Sequence, residues 1–402
     1  MSNPTWTNWA GTETCQPGAF VKAVSVEHVS EVVADATERG ISVRPVGSGH
    51  SFAPLVPTDG IVLDISALSG VVSVDKNAAQ ARVLAGTTIS ALGEPLWDAG
   101  LTLRNQGAID AQTIAGATST STHGSGLQLK TMSGSIIGAE LITASGELVK
   151  IGPDDPRLPA LRASMGTLGV IVSLDIQLEH AFKLKETLDF WPFEEVLARW
   201  DEATHSHRHF SFVHGPMYDS SEELPPIPSN MKNPTLVRIY DQVDADAEDD
   251  ETPAARLNRP YRIYPDVFTE PWEEIEPFAP YDTILDTIAE CLEVMERYPS
   301  EFPLEARTVA KDDAWLSPAN GRDSVAIDVC RPLGQDNIPF FREIDAVMAR
   351  YGGRPHWGKQ PYLHDRETYR NFYPKWDDFI ALRRQLDPTG TFLNGPLRAI
   401  FE

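Results

Sequence analysis

The pattern of apolar and polar residues predicts a mixed α/β domain over residues 1–180. A helix should begin after Ser25 and end before Gly40, because apolar residues recur between them at helical spacing. A second helix is expected over 90–99, ending before Gly100. The expected strands lie at 41–46 and 61–65, in hairpins over 71–85 and 140–151, and, with alternating character, at 169–178.

Residues 181–354 differ in character, since aromatic strands at 190–191 and 210–213 are mixed with acidic and proline-containing stretches. Six acidic residues among the eight at 244–251 predict a solvated loop. A later helix places Cys291 among apolar residues at core spacing, so we expect this cysteine to be buried as a small hydrophobe.

Three histidines, His205, His207 and His209, alternate along the chain, and a strand would place all three on one face. Zinc favours such imidazole groups. The run leads into an apolar strand without acidic or cysteine partners, so we predict no metal site.

A glycine-flanked histidine, His50, follows the strand expected at 41–46. Gly47 and Gly49 let the backbone turn sharply and approach a ligand, and the amide groups of such a turn can face a pyrophosphate. A dinucleotide-binding fingerprint would require a third glycine where Phe52 stands, followed by a helix. Residues 53–60 contain two prolines and a glycine, so no helix is expected and a Rossmann site is excluded.

A tract of small and hydroxylated residues at 105–126 contains too few large apolar side chains to form a core by itself. Its glycines, serines and threonines suit a close approach of the backbone to an extended polar ligand. The alternative is a flexible loop.

Composition limits the possible functions. The chain has 402 residues, enough for two domains, and a formal net charge of −24, which argues against nucleic acid or an anionic membrane as partner. Its three cysteines are widely spaced, which predicts neither a disulfide framework nor a zinc site. The first six residues have no leader-like features and no run is long enough to span a bilayer, so we expect a cytoplasmic protein, either a monomer or a homodimer.

Several motifs occur in an order that resembles the vanillyl-alcohol-oxidase-type (PCMH-type) flavoproteins, in the branch of aldonolactone oxidases and alditol oxidases. They span nearly the whole chain and lie at 47–51, 113–126, 305–307, 356–359, 373–376 and 386–392. The resemblance implies an α+β, two-domain fold. It would have an FAD-binding domain at 1–180, a cap domain at 181–375 with an antiparallel sheet flanked by helices, and a C-terminal segment at 376–402 that returns to the flavin domain.

The resemblance also implies the cofactor, FAD, joined through its 8α-methyl group to His50. The alternative for His50 is a structural loop histidine. The other residues that the resemblance places along FAD are Pro45, Val46, Gly47, Ser48, Gly49, Ser51, Gly107, Thr113, Gly116, Thr120, Ser121, Thr122, His123 and Ile171.

The resemblance places the substrate side of the site in the cap domain. Glu305 and Arg307 alternate on an expected strand and so share a face. Arg307 and Lys359 suit stabilisation of a developing alkoxide, and Glu305 suits orienting Arg307 or binding substrate hydroxyls. His356 either acts as base or packs. Without the resemblance, a surface salt bridge is the preferred interpretation of Glu305 and Arg307.

The expected reaction is oxidation of an alcohol of a sugar-derived molecule to a carbonyl, with dioxygen reduced to hydrogen peroxide. By resemblance, Gly107 lies where a bulkier side chain obstructs oxygen in dehydrogenases, which favours an oxidase. Ala108, Asp328 and Cys330 replace a serine, a histidine and a threonine of alditol oxidases. An aldono-1,4-lactone is therefore the first expected substrate and an alditol the second. The alternatives are a dehydrogenase, an NAD(P)H-dependent flavin reductase, and a flavoprotein that only binds.

Overall fold

The computed structural model of this protein describes residues 5–216, 224–266, 270–359 and 364–402. The expectation that the chain starts without a leader falls partly on residues 1–4, which lie outside the described residues. No helix in the described part of the chain is both long and apolar enough to cross a bilayer.

Twenty strands form the sheets of the described chain. They are β1 (Trp6–Thr7), β2 (Thr14–Cys15), β3 (Ala19–Lys22), β4 (Val43–Val46), β5 (Ile61–Asp64), β6 (Val71–Asp75), β7 (Gln80–Leu84), β8 (Leu101–Thr102), β9 (Ile136–Ile142), β10 (Leu148–Ile151), β11 (Val170–Gln177), β12 (Glu179–His180), β13 (Lys183–Pro192), β14 (His209–His214), β15 (Pro234–Val243), β16 (Leu257–Asn258), β17 (Trp272–Ile275), β18 (Phe278–Pro280), β19 (Leu304–Val309) and β20 (Ser324–Pro332).

Eleven α-helices lie among the described residues, and several begin at residues whose side chains cap the first turn. The Ser25 hydroxyl, for example, accepts a hydrogen bond from the His28 amide. The helices are α1 (Val26–Glu38), α2 (Ile89–Asp98), α3 (Ile114–Ser119), α4 (Leu158–Leu161), α5 (Phe193–Ser206), α6 (Pro260–Ile263), α7 (Ile284–Arg297), α8 (Ile338–Arg350), α9 (Arg366–Phe372), α10 (Trp376–Leu386) and α11 (Gly395–Phe401).

The N-terminal part of the chain contains two main sheets around one core. The parallel sheet has the order β3-β5-β4, and the antiparallel sheet has the order β10-β9-β11-β7-β6. The loop at 47–51 leaves the end of β4, the position from which a parallel strand delivers a ligand-binding loop. The same core contains Trp357 and apolar side chains of α9, α10 and α11. The last helices therefore pack on the N-terminal sheets, while the predicted domain boundaries stay a prediction.

The second half of the chain is built on an eight-stranded sheet of order β16-β13-β15-β14-β19-β20-β17, with β18 paired to β20. Helices α5, α7 and α8 cover one face, where their apolar side chains pack on alternate strand residues such as Phe212, Ala306 and Ile327. The intervening residues point to the opposite face. On that face lie Arg307 and Asp328.

Most of the predicted elements are present, and the ends of the helices and strands predicted over residues 1–180 lie within four residues of the prediction. The three predicted helices are α1, α2 and α7, the hairpins are β6–β7 and β9–β10, and no helix follows the loop at 47–51. All six acidic residues at 244–251 are exposed, as predicted, and Cys291 is fully buried in α7. The mixed helix-and-sheet class is thus confirmed.

Two expectations and one alternative are wrong. His205 lies in α5, His207 follows it and His209 begins β14, so the three imidazoles do not share a strand face. The strand at 170–177 does not alternate, because both of its faces are covered over its first five residues. The tract at 105–126 is no flexible loop, since it contains α3 and most of its side chains are buried.

Candidate functional site

A cleft of about 850 Å³, including its open mouth, lies beside the loop at 47–51. Eleven of the fifteen predicted cofactor residues line it, namely Pro45, Val46, Gly47, Ser48, Gly49, His50, Ser51, Thr113, Gly116, Thr120 and Ile171. The structure therefore brings together two motifs that are more than sixty residues apart in the sequence.

The walls of this cleft carry polar atoms that have no hydrogen-bond partner among the residues that the structure describes. They are Nδ1 of His50, Oε1 of Gln112 and Oγ1 of Thr113, and all three are buried. A buried polar atom without a partner costs on the order of 1–3 kcal/mol, so such atoms indicate a ligand that supplies the missing bonds. The cleft thus has the character of a polar cofactor site.

Gly47 allows the loop to approach α3. A Cβ atom at this position would lie 2.0 Å from Oγ1 of Thr113, so only glycine fits between the loop and the residue that begins the helix. Ser48 adds a hydrogen bond of 2.5 Å from its hydroxyl to the carbonyl oxygen of Ala111. The two motifs are therefore held in direct contact at the cleft wall.

The other four predicted cofactor residues, Gly107, Ser121, Thr122 and His123, do not line this cleft. Ser121 is fully buried with φ +65°. A Cβ atom at Gly107 would lie 2.8 Å from Cγ2 of Thr122, so these two residues pack against each other. His123 contacts the polar face of the eight-stranded sheet, where its Nε2 atom lies 3.2 Å from Oε1 of Glu276.

Arg307 is the centre of a buried polar cluster on the open face of the eight-stranded sheet. Its Nη2 atom lies 2.5 Å from Oε1 of Glu276 and 3.2 Å from Oδ2 of Asp328. Its Nε atom lies 3.9 Å from Oε2 of Glu305, the residue that shares its strand face. The Glu305–Arg307 pair is only partly exposed, so the alternative of a surface salt bridge is wrong.

Lys359 joins this cluster from the segment at 356–359. Its ammonium group forms an ion pair with Glu274, which also accepts a hydrogen bond from the indole of Trp272. The amide of Phe52 donates to the carbonyl oxygen of Gly358 over 2.8 Å, and Nζ of Lys359 lies 5.3 Å from the centre of the Phe52 ring. The loop that carries His50 thereby fixes the position of Lys359.

Burial and neighbouring charges distribute the protons in the cluster. Burial would raise the pKa of Glu276, but the Arg307 guanidinium and the His123 imidazole outweigh it and hold that pKa below the usual range. Burial and the Glu276 carboxylate raise the pKa of Asp328 well above its usual range, against the opposing effect of Arg307. Around Arg307, the negative charge is therefore held by Glu276 in preference to Asp328.

Lys359 has an unusually low basicity, because burial lowers the pKa of its ammonium group to about 7. Its close contact with the Glu274 carboxylate favours the charged form and limits that effect. Burial and the nearby Lys359 charge also lower the pKa of His50, which keeps its imidazole neutral. Lys359 and His50 thus influence each other across the boundary between the cleft and the cluster.

His356 is buried, and burial lowers its pKa to about 4. Its Nδ1 atom accepts a hydrogen bond of 2.9 Å from the Gly358 amide, so the ring proton of the neutral imidazole is on Nε2. Neither ring nitrogen is therefore a free acceptor. Of the two predicted roles, base or packing residue, this geometry favours packing.

Two groups of metal-ligand atoms converge in the described cluster, His123–Glu276–His356 and Glu274–Asp328–Cys330. Arg307 and Lys359 already form ion pairs with carboxylates of these groups. Nδ1 of His356 accepts a hydrogen bond and Nε2 carries the ring proton, so neither nitrogen has a free lone pair for a metal ion. We therefore assign no metal ion. Of the three histidines at 205, 207 and 209, His207 pairs with Asp241 and buried His209 bonds to the Ser125 carbonyl.

Sequence reasoning missed Glu274 and Glu276. Both are fully buried, and each holds one of the two central cations. The available signal was the presence of three acidic residues within 272–276, next to Trp272 and Ile275, which is unusual for a buried strand. A third missed residue, Trp9, stacks on the His50 ring with 5.4 Å between ring centres.

Comparison with known proteins agrees with this arrangement. The model of an FAD binding domain matches residues 17–152, and that of D-arabinono-1,4-lactone oxidase matches residues 259–400. An L-gulono-1,4-lactone dehydrogenase of Mycobacterium tuberculosis is 34% identical over 99% of both chains. An L-gulonolactone oxidase of Bos taurus is 28% identical over 98% of this chain and 97% of the relative. An alditol oxidase of a Streptomyces species is 28% identical over 98% of this chain and 99% of the relative.

Solved structures show the same fold. A cholesterol oxidase of Brevibacterium sterolicum superposes with a TM-score of 0.81 at 15% identity, over 99% of this chain and 97% of the other. A 6-hydroxy-D-nicotine oxidase of Arthrobacter nicotinovorans has a TM-score of 0.70 at 16% identity, over 96% of this chain and 93% of the other. At this level of identity the similarity describes the architecture alone.

Proposed function

This chain belongs to the aldonolactone and alditol oxidase branch of the FAD-dependent flavoproteins, and we propose that it oxidises an aldono-1,4-lactone, with an alditol as the second candidate. It is an FAD-dependent oxidoreductase that acts on sugar-derived lactones or alcohols. The observation that carries the choice of reaction is that Arg307 and Lys359 meet at Glu276, with Glu305 beside Arg307 and with Lys359 close enough to His50 to affect its pKa.

FAD fits the cleft chemically. The unpartnered Nδ1 of His50, Oε1 of Gln112 and Oγ1 of Thr113 are the polar atoms that a bound cofactor would satisfy. Gly47 and Gly49 bring the backbone close enough to cradle a pyrophosphate. When bound, FAD supplies the hydride acceptor of the reaction.

Arg307 and Glu305 bind the substrate in this proposal. The guanidinium of Arg307 is held by Glu276, so it remains fixed and charged while a hydroxyl oxygen develops negative charge. Glu305 is partly exposed and an acceptor of hydrogen bonds when ionised, which suits the hydroxyl donors of a sugar-derived ligand.

Lys359 accepts the hydroxyl proton as the hydride leaves. Its lowered pKa of about 7 makes the neutral amine available near physiological pH, which is the range in which a general base is most effective. Glu274 orients the amine and stabilises the ammonium group that forms. His356, whose Nδ1 is already bonded, supports the wall of the site.

The test of the reaction is anaerobic reduction of the flavin by a panel of aldonolactones and alditols. We expect bleaching of the flavin absorbance by a lactone, followed by recovery when air is admitted. Bleaching by NADPH instead would support the flavin reductase alternative, and no bleaching by any sugar-derived alcohol would support a protein that only binds.

The covalent link is tested by His50→Ala. We expect the wild-type chain to retain yellow-green fluorescence in a denaturing gel under ultraviolet light, and the variant to lose it, because the unpartnered Nδ1 of His50 is the nucleophile available in the cleft. Fluorescence that persists in the variant would place the link elsewhere, and a non-fluorescent wild-type band would show that the cofactor is not covalently bound.

Dioxygen is the proposed electron acceptor, and Gly107→Ala tests it. We expect reoxidation of the reduced flavin by dioxygen to slow at least tenfold, or about 1.4 kcal/mol in the barrier, because the new methyl group obstructs oxygen. Stopped-flow mixing with oxygenated buffer measures this rate.

A methyl group at position 107 would also crowd Thr122, because it would lie 2.8 Å from Cγ2 of that residue. The matched control is therefore Gly107→Ala/Thr122→Ser, in which the loss of Cγ2 restores the packing space and the methyl group at 107 remains. We expect the double variant to remain slow. A fast double variant would attribute the effect to Thr122, and a wild-type chain that reduces only dyes would support a dehydrogenase.

A further inference from the structure

We propose that Trp9 is a positioning residue that orients the His50 imidazole for attachment to the flavin. This inference rests on the proposed covalent link at His50. It concerns an N-terminal hairpin, β1–β2, that lies on the loop at 47–51.

The hairpin holds the backbone on both sides of His50. The Trp9 amide donates to the carbonyl oxygen of Gly49 over 2.9 Å, and Nδ2 of Asn8 donates to the carbonyl oxygen of Ser51 over 3.0 Å. Asn8 is itself fixed, since its amide and side-chain oxygen bond to the backbone of Glu13 over 2.9 and 3.0 Å. These bonds hold the peptide group before His50 and the peptide group after Ser51, and this restricts the direction of the His50 Cα–Cβ bond.

The Trp9 indole then determines the plane of the imidazole. The two rings are stacked, with 25° between their planes. Trp9 is in turn wedged edge-on against Trp272, at 5.0 Å between ring centres, and against Phe52, at 6.3 Å. A rigid aromatic wall therefore limits rotation of the His50 ring, while its buried Nδ1 atom has no hydrogen-bond partner in the described part of the chain.

Attachment depends on this orientation. The reaction would join Nδ1 to the 8α-methyl carbon. The methyl group would give up one hydrogen, whose bonding electron pair passes to the flavin, and the imidazole would give up the proton of Nε2, so that the flavin gains two electrons and two protons. Dioxygen then takes these two electrons and two protons and leaves as hydrogen peroxide. The nucleophile is the lone pair of a neutral imidazole, and burial together with Lys359 keeps His50 in that form. A misplacement of about 1 Å in such a reaction slows it by roughly 100-fold.

The test compares Trp9→Leu with Trp9→Phe in protein purified at matched times after induction. Leucine keeps an apolar side chain but removes the flat ring, whereas phenylalanine retains a stacking surface. The measurements are the acid-stable flavin fraction and the total flavin per chain. We expect Trp9→Leu to reduce the acid-stable fraction by roughly 10-fold or more, with total flavin little changed, and Trp9→Phe to restore it.

Thr14→Ala is the matched hairpin control, because it removes an exposed hydrogen bond to the Trp6 carbonyl and leaves the loop at 47–51 untouched. We expect a normal acid-stable fraction in this variant. The proposal is overturned if Trp9→Leu is as fully attached as the wild type, or if it loses all flavin and so has a purely structural role. A wild-type chain without acid-stable flavin would overturn the His50 link and this inference with it, whereas failure of Trp9→Leu alone leaves the link in place.

Discussion

Replacing Arg307 by glutamine should lower kcat/KM for the sugar substrate by roughly 100- to 1000-fold, the effect of removing one preorganised donor from a developing oxyanion. Glutamine keeps a hydrogen-bond donor of similar shape but carries no charge. The loss should be in kcat more than in KM, because the alkoxide charge that Arg307 stabilises develops only as the reaction proceeds. Steady-state kinetics with an aldonolactone, at constant oxygen, measures both parameters.

The same substitution should destabilise the protein. Arg307 is buried between Glu276 and Asp328, and its removal leaves the ionised Glu276 carboxylate without its main partner. Removing one member of a buried ion pair costs about 3–5 kcal/mol. Activity must therefore be normalised to folded, flavin-loaded protein, and Arg307→Lys, which retains the charge, should recover part of both losses.

Arg331→Gln is the matched control, because Arg331 is a buried arginine of the same sheet that lies on the opposite face. It packs on the ring of Phe340, and its guanidinium donates to the carbonyl oxygen of Tyr298 over 2.8 Å. We expect this variant to lose stability while its kcat/KM stays within about threefold of the wild type. Equal losses of kcat in Arg331→Gln and Arg307→Gln would show that Arg307 acts through the fold alone.

Local patterns in the sequence were sufficient for the elements that deliver the site. The glycines at 47 and 49 and the prolines at 53–60 predict a ligand loop without a following helix, and this loop lines the cleft. The two-residue period of Glu305 and Arg307 places both on one face of β19, where they lie 3.9 Å apart. These features depend only on neighbouring residues.

The residues that surround Arg307 could not be predicted in this way, because they depend on pairing between distant strands. Glu274 lies opposite Cys330, and Glu305 lies opposite Asp328, only because β20 is bordered by both β17 and β19. The burial of the tract at 105–126 has a similar cause. Its Gly126 amide donates to the carbonyl oxygen of Thr308 in β19, so the eight-stranded sheet covers a tract that cannot form a core by itself.

The three histidines show how a short period can mislead. Alternation at 205, 207 and 209 suggested a strand, but Val196, Trp200 and Ala203 already follow helical spacing. Helix α5 continues through Ser206 because this apolar face packs on the sheet, and packing of a whole face outweighs the preference of a few residues.

The pH profile of kcat/KM should rise with pH through about 7 and reach a plateau above it, because Lys359 is the proton acceptor. Burial lowers the pKa of its ammonium group to about 7. Below that pH the group is protonated and has no lone pair for the substrate proton, and above it the amine is free. Lys359→Met should remove this ionisation and lower kcat/KM at pH 8 by about 100- to 10,000-fold.

Lys359→Arg distinguishes a base from a fixed charge. An arginine remains protonated at every pH of interest, so it cannot accept a proton but keeps the positive charge beside Glu274. We expect its activity to be as low as that of Lys359→Met. High activity in Lys359→Arg, or a wild-type profile that falls as pH rises through 7, would instead make Lys359 an electrostatic stabiliser.

Glu274→Gln supplies a third, directional result. The Glu274 carboxylate favours the charged form of Lys359, so its replacement by a neutral amide of the same shape should lower the pKa of the ammonium group further. The rise of kcat/KM with pH should then occur at lower pH in Glu274→Gln. In Lys359→Met no such rise is expected, because the ionising group is absent. A rise that stays in place in Glu274→Gln belongs to another group, because the ionisation of a base in contact with Glu274 must respond to the loss of that charge.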